Sequence, residues 1–155
     1  MRDVKREMTN ALKREDMLIG ALLRVPGQAI HRRIILELNR AGFAELRLPH
    51  MAVLQFPGPD GVRPSTLAER AGMSKQAMNQ LLRSLENLGY VVRTDVPGEG
   101  RARMIRLTKR GRMAYARIHA ILRDIESEWS AQLGRKNFAQ LKELLLCVWE
   151  SPLVR

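Results

Sequence analysis

The residues between Ser74 and Leu88 sort themselves by chemistry. At roughly 100° per residue, Lys75, Gln76, Asn79, Gln80 and Arg83 gather on one side of a helix, while Ala77, Met78, Leu81, Leu82, Leu85 and Leu88 gather on the other. The polar side carries no acid until Glu86. Its side chains are those that read base edges: amides suit adenine, guanidinium suits guanine, and all of them bond phosphate. Ser74 and Lys75, at the helix start, are placed to hold phosphate, aided by the positive end of the helix. A plain solvated helix face is the competing reading, and the flanking elements decide between the two.

Just upstream, Leu67-Ala68-Glu69-Arg70-Ala71-Gly72-Met73 forms a short helix ending in a glycine that can turn the chain through a left-handed conformation. Ser65 or Thr66 is its predicted cap, Thr66 and Glu69 having capping-box spacing. Helix, tight turn and second helix make a helix-turn-helix. Downstream, Gly89 ends the second helix, Tyr90 to Arg93 reads as a strand, Val96 to Gly100 as a hairpin turn, and Arg103 to Leu107 as the returning strand. Such a ribbon is barely stable alone, so it must lean on the two helices as a wing. Arg93, Arg106 and Arg110 have two readings here, phosphate contact or internal ion pair.

The remaining segments mount this unit. Residues 3–24 have helical spacing of Val4, Met8, Leu12, Leu18, Leu22 and Leu23; Pro26-Gly27 predicts a break or kink, and a helix over 26–41 follows with Ile30, Ile34, Ile35 and Leu38 inward, stopped by Gly42. Pro49 opens a short helix with Met51, Val53 and Leu54 as core, Pro57 to Gly61 is a loop, and Val62-Arg63 is a very short strand. Thr108 caps a helix over about 109–131, along which Met113, Ala116, Ile121, Ile125 and Trp129 run. Gly134 turns the chain into a last helix over 136–149, whose stripe of Phe138, Leu141, Leu144, Leu145, Val148 and Trp149 is too apolar for water and needs a partner surface. The fold class is mainly α with a small β-hairpin wing.

Charge supports a polyanionic partner. The 155 residues carry a formal net charge of +11, and residues 61–112 hold +7 of it. A phosphate backbone rewards such a local excess by releasing counterions. The single cysteine, Cys147, allows no intrachain disulfide, and among Leu144, Leu145 and Val148 it reads as a small core residue rather than a redox sensor. No apolar run is long enough to cross a membrane, the mixed charges of the N-terminus do not suit a secretory signal, and the cytoplasm is the expected setting. His31, His50 and His119 are scattered, so neither a metal nor a cofactor is expected. With no carboxylate pair, activated nucleophile or phosphate loop, enzymatic chemistry has nothing to rest on.

Leu67-Ala68-Glu69-Arg70, Met73-Ser74-Lys75-Gln76, Leu81 through Arg93, and Arg103 through Gly111 together resemble the multiple antibiotic resistance regulator (MarR) family, with helices before and after in the family's order over roughly residues 15–150. The resemblance implies a winged helix-turn-helix over 45–108 and a dimerisation region from 1–44 and 109–155, with the first and last helices interlocking. It implies a homodimer on double-stranded DNA, each recognition helix in a major groove of a pseudo-palindromic operator, and release by a small-molecule effector. The family's Asp-x-Arg wing signature aligns with Glu99 and Arg101, which assigns Arg101 to the minor groove, with Arg103 in the same role or on phosphate. The effector pocket it implies, between the dimer helices and the winged helix, would be lined by Arg47, His50 and Tyr115, while Met51 is assigned to packing. The expected function is therefore sequence-specific transcription regulation, through Ser74, Lys75, Gln76, Asn79, Gln80, Arg83, Arg101 and Arg103. The alternative is a winged helix that uses its basic face on an acidic protein.

Overall fold

Ile34 and Leu38 of the first helix meet Ile118 and Ile121 of a later one in the same buried cluster, and this pairing sets the frame on which the winged helix sits. The structure, a computed structural model, describes residues 17–55, 60–96, 98, 100 and 103–152. Helix α1 spans Ile19–Arg40; a 3-10 turn at Leu48–His50 leads into the single turn α2, Met51–Leu54; α3 spans Pro64–Arg70 and α4 Lys75–Asn87. Strands β1, Val91–Asp95, and β2, Arg103–Leu107, precede α5, Lys109–Leu133, and α6, Arg135–Glu150. The expected helical content of residues 3–16 and the loop at Pro57-Gly58-Pro59 lie outside the described residues.

Of the break or kink expected at Pro26, the break does not occur. Helix α1 runs through it without interruption. Proline removes the bond that the Leu22 carbonyl would accept, but Leu22 and Val25 are exposed there, and water can take the carbonyl. Neither Ser65 nor Thr66 caps α3. The helix begins at Pro64, whose fixed φ is already helical, so the two hydroxyl residues fall within its first turn and Arg63 takes the capping position without a side-chain bond.

Gly72, at φ +62°, turns α3 into α4 as expected. The apolar side of α4 enters the core: Met78, Leu82 and Leu85 are fully buried, and Ala77, Leu81 and Leu88 partly so. The wing is a two-stranded antiparallel sheet with Val91 opposite Leu107 and Asp95 opposite Arg103. Val62 adds one bridge to Ile105, so the short strand expected at Val62-Arg63 reduces to a single residue. Tyr90 stands outside the strand, fully buried, with its carbonyl accepting the Thr108 N–H at 3.0 Å.

Thr108 performs as a cap: its Oγ1 accepts the Gly111 N–H at 3.0 Å and donates to the Gly89 carbonyl at 2.6 Å. Gly111 itself is enclosed, since a Cβ there would lie 1.9 Å from the Tyr90 carbonyl oxygen. The buried face of α5 runs through Ala114, Ile118, Ile121 and Ile125; Met113 and Ala116 point to solvent instead. Glu37 fastens α5 to α1, accepting Arg117 at 3.0 Å while also pairing with Arg33 and Arg40. Helix α6 buries no residue, and Leu144, Leu146, Val148 and Trp149 are each more than half exposed. Cys147 is exposed on this same helix, which corrects its reading as a core residue.

Candidate nucleic-acid interface

Helix α4 owes its start to Ser74, whose Oγ accepts the Ala77 N–H at 3.1 Å. The capping oxygen is thereby occupied, while the hydroxyl hydrogen remains able to donate to an anion. Lys75, Gln76, Gln80 and Arg83 are exposed along the outer side of the helix, opposite the fully buried Met78, Leu82 and Leu85. The expected division of the helix into a wet polar face and a dry apolar one therefore holds for these residues.

Asn79 differs from its neighbours. It is half-buried, and its Oδ1 accepts a hydrogen bond from Arg93 Nη1 at 3.2 Å. Arg93 in turn donates from Nε to Glu86 Oε2 at 3.0 Å. Of the two readings for Arg93, the internal ion pair is the one realised. Arg110 is also paired internally, with Glu45, and its guanidinium stands 5.2 Å over the Tyr90 ring. Tyr90 donates to Glu45 at 2.8 Å. A backbone hydrogen bond, the Tyr90 hydroxyl and the Arg110 charge hold the Glu45 carboxyl below its ordinary range, while burial pushes the Tyr90 phenol up. Arg106 is exposed.

On the wing, Arg103 pairs with Asp95 at 2.7 Å across the end of the hairpin, with both side chains more than half exposed. Glu99 and Arg101 lie outside the described residues.

Of the residues assigned to effector binding, Arg47 and His50 come together and Tyr115 does not join them. The Arg47 backbone N–H donates to His50 Nδ1 at 3.1 Å, which fixes the ring proton on Nε2; that nitrogen lies 3.0 Å from Ser84 Oγ and donates to it. Burial, with the Arg47 charge beside it, holds the His50 pKa below its ordinary value. The ring thus links the start of the winged helix to the recognition helix. Beside it opens a cavity of about 600 Å³ lined by Arg47, His50, Gln80, Arg83, Ser84 and Asn87 among others. Two residues read as effector contacts thus share one concavity with two read as base contacts. Tyr115 packs on α5 against His119, ring centres 4.1 Å apart.

A second cavity, of about 530 Å³, lies along α1, where Gln28, His31, Arg32, Ile35 and Asn39 meet Leu48. Of these, the sequence marks Ile35 only as a core position and His31 only as one of three scattered histidines, while Gln28, Arg32, Asn39 and Leu48 carry no assignment. Their spacing is that of one helical stripe, and its mixed polar and apolar character, neither core-like nor fully solvated, is the signal that marks it.

Residues 51–102, which include the helix-turn-helix and the first strand of the wing, match the family model described as MarR family. The HTH-type transcriptional repressor Rv2887 of Mycobacterium tuberculosis is 30% identical over 132 residues, covering 84% of this chain and 93% of that protein. The chain belongs to the MarR family. Members of that family regulate transcription, and the solved structures similar to this chain carry the same fold. Rv2887 of M. tuberculosis in complex with salicylic acid superimposes with a TM-score of 0.62 at 30% identity, covering 86% of this chain and 97% of that one. The same M. tuberculosis protein in complex with DNA gives 0.61 at 28% identity, covering 86% and 98%.

Proposed function

We propose that this chain is a repressor that binds a pseudo-palindromic operator as a homodimer and is released from it by a small molecule. Residues 45–108 form the DNA-binding unit, and 1–44 with 109–155 pair the two copies. The observation that carries the reading is the outer face of α4, where Lys75, Gln76, Gln80 and Arg83 are exposed along a helix whose opposite face is fully buried. Such a helix has the dimensions to enter a major groove, with Ser74 and Lys75 on phosphate, Gln76, Asn79, Gln80 and Arg83 on base edges, and the wing's Arg101 and Arg103 toward the minor groove. The apolar and uncovered α6, together with exposed Leu18, Ile19, Leu22 and Leu23 at the start of α1, supports a second copy as their cover. The relative solved with DNA and with salicylic acid supports both a duplex and a small aromatic acid as ligands. Arg47 and His50 are the effector contacts in this reading, Tyr115 standing apart from them against His119, and the cavity that Arg47 and His50 share with Gln80 and Arg83 supports release through the base-reading helix itself.

Selection from random duplexes with the purified protein tests the proposal. The expected outcome is a symmetric consensus with half-sites about one helical turn apart, occupied by two chains per duplex. Salicylate titrated into that complex is expected to lower its anisotropy. Binding that is indifferent to sequence, or one chain per duplex, overturns it.

A further inference from the structure

The two ion pairs of the hairpin differ in what they hold. Arg93 and Glu86 join β1 to α4, and both side chains are about three-quarters covered. Arg103 and Asp95 stand directly opposite each other on the two strands, Nη1 to Oδ1 at 2.7 Å, with the side chains 53% and 71% exposed. The strands they join are already held in register by four further residue pairs. A pair so open to water adds little to stability, so its consequence lies outside the hairpin. Arg103 is one of the cations read as reaching DNA, and a carboxylate in contact with it is carried to the same phosphates. The sequence of the wing shows the same balance: from Asp95 to Arg103, two acids, Asp95 and Glu99, offset two arginines, Arg101 and Arg103, whereas residues 61–112 as a whole hold +7. The other acids of that stretch are Glu69 and Glu86, and Glu86 is engaged by Arg93. The basic surplus that draws the chain to a polyanion therefore stops short of the wing.

We propose that Asp95 is an affinity-limiting residue of the DNA interface: it offsets the charge of Arg103, so that the wing reaches the duplex without adding to the sequence-independent attraction. The inference rests on the reading of the wing as a DNA contact. Two effects of Asp95 oppose each other. As a tether it holds Arg103 in place for its ligand, which favours binding; as an anion it lies against phosphates, which disfavours it. Exposure decides between them. A tether wet at both ends restrains a long side chain only weakly. A charge set beside phosphates changes how many counterions the duplex releases, and that change is felt in the affinity for every sequence. Repulsion wins, and the wild-type complex is weaker than the arginines of the wing alone would make it.

The test compares wild type, Asp95→Asn, Arg103→Gln and the double variant in anisotropy titrations of the selected operator and of a random-sequence duplex, from about 50 to 200 mM salt. Asp95→Asn is expected to bind both duplexes about three- to tenfold more tightly at the lowest salt and to steepen the slope of log K against log salt by about 1. Arg103→Gln, which leaves the acid bare, is expected to weaken binding and to reduce the slope by about as much. The double variant has the net charge of wild type, and its affinity for the random duplex is expected to lie within about twofold of wild type. Thermal midpoints of all four proteins should agree closely, since both side chains are exposed. Asp95→Asn binding no more tightly than wild type while Arg103→Gln binds more weakly overturns the inference and leaves the wing on DNA. Four proteins that bind alike overturn both the inference and the wing's place at the duplex. Absence of a selected operator overturns the sequence-specific repressor, and the random duplex then decides the role of Asp95 by the same comparison.

Discussion

The exposed side chains of α4 divide by what their removal should change. Lys75 stands at the helix start with a charge and no fixed geometry, so Lys75→Ala is expected to weaken binding to all duplexes alike and to reduce the slope of log K against log salt by about 1. Arg83 has the fork to hold a base, and Arg83→Ala should reduce discrimination at one base pair by about 1–3 kcal/mol, read from competition anisotropy across operator variants. His50 brings pH into the same region. Because burial lowers its folded-state pKa, its contribution to stability is complete above its ordinary value of about 6.5 and is lost as pH falls below that value. A proton on Nδ1 would face the Arg47 N–H donor, breaking that bond. Urea midpoints between pH 7.5 and 5 should therefore fall less steeply for His50→Asn than for wild type, with His119, also lowered by burial, accounting for the remaining slope. Glu45, depressed by its hydrogen bonds and Arg110, loses its contribution in a separate window below its ordinary value of about 4.5.

Helix and strand positions were legible in the sequence where a local rule decides them. Thr108 caps the helix assigned to it, and the spacing of Met78, Leu82 and Leu85 gave the buried side of α4, because periodicity and capping act within a few residues; Ser74, read only as a phosphate contact, caps α4 as well. Pro26 was misjudged as a boundary between two helices, and the cap of α3 was placed at Ser65 or Thr66 instead of Arg63, since the effect of a proline depends on whether its orphaned carbonyl is wet and on which hydroxyl is already inside the first turn. The bond from Arg93 to Asn79 and that from His50 to Ser84 were not legible, because hairpin register and tertiary packing bring together residues that spacing keeps apart. Gly111 belongs with these. Its need to be glycine comes from the Tyr90 carbonyl, 21 positions earlier, on which an added Cβ would lie at 1.9 Å. Gly111→Ala should force β1 and α5 apart and destabilise the protein by about 3 kcal/mol or more, observable as a lowered thermal midpoint, whereas alanine at the uncrowded, helical Gly27 should not.

For the whole molecule, the apolar surface on α6 and at the start of α1 dominates. Leu144→Glu with Val148→Glu places two carboxylates on a face that requires cover, and sedimentation is expected to show dimers replaced by monomers without loss of helix in α3 or α4. DNA affinity should fall with them, because a half-operator gives up the gain from linking two modest contacts. The sparse internal support of α6 has a further consequence. A helix whose oily side is sheltered only by another polypeptide draws part of its folding free energy from encounter, so its thermal midpoint should climb with protein concentration while that of the winged unit stays fixed. Scarcity of the repressor would then loosen the clasp before it touches the reading head, tying occupancy of the operator to the square of how much of the chain is present.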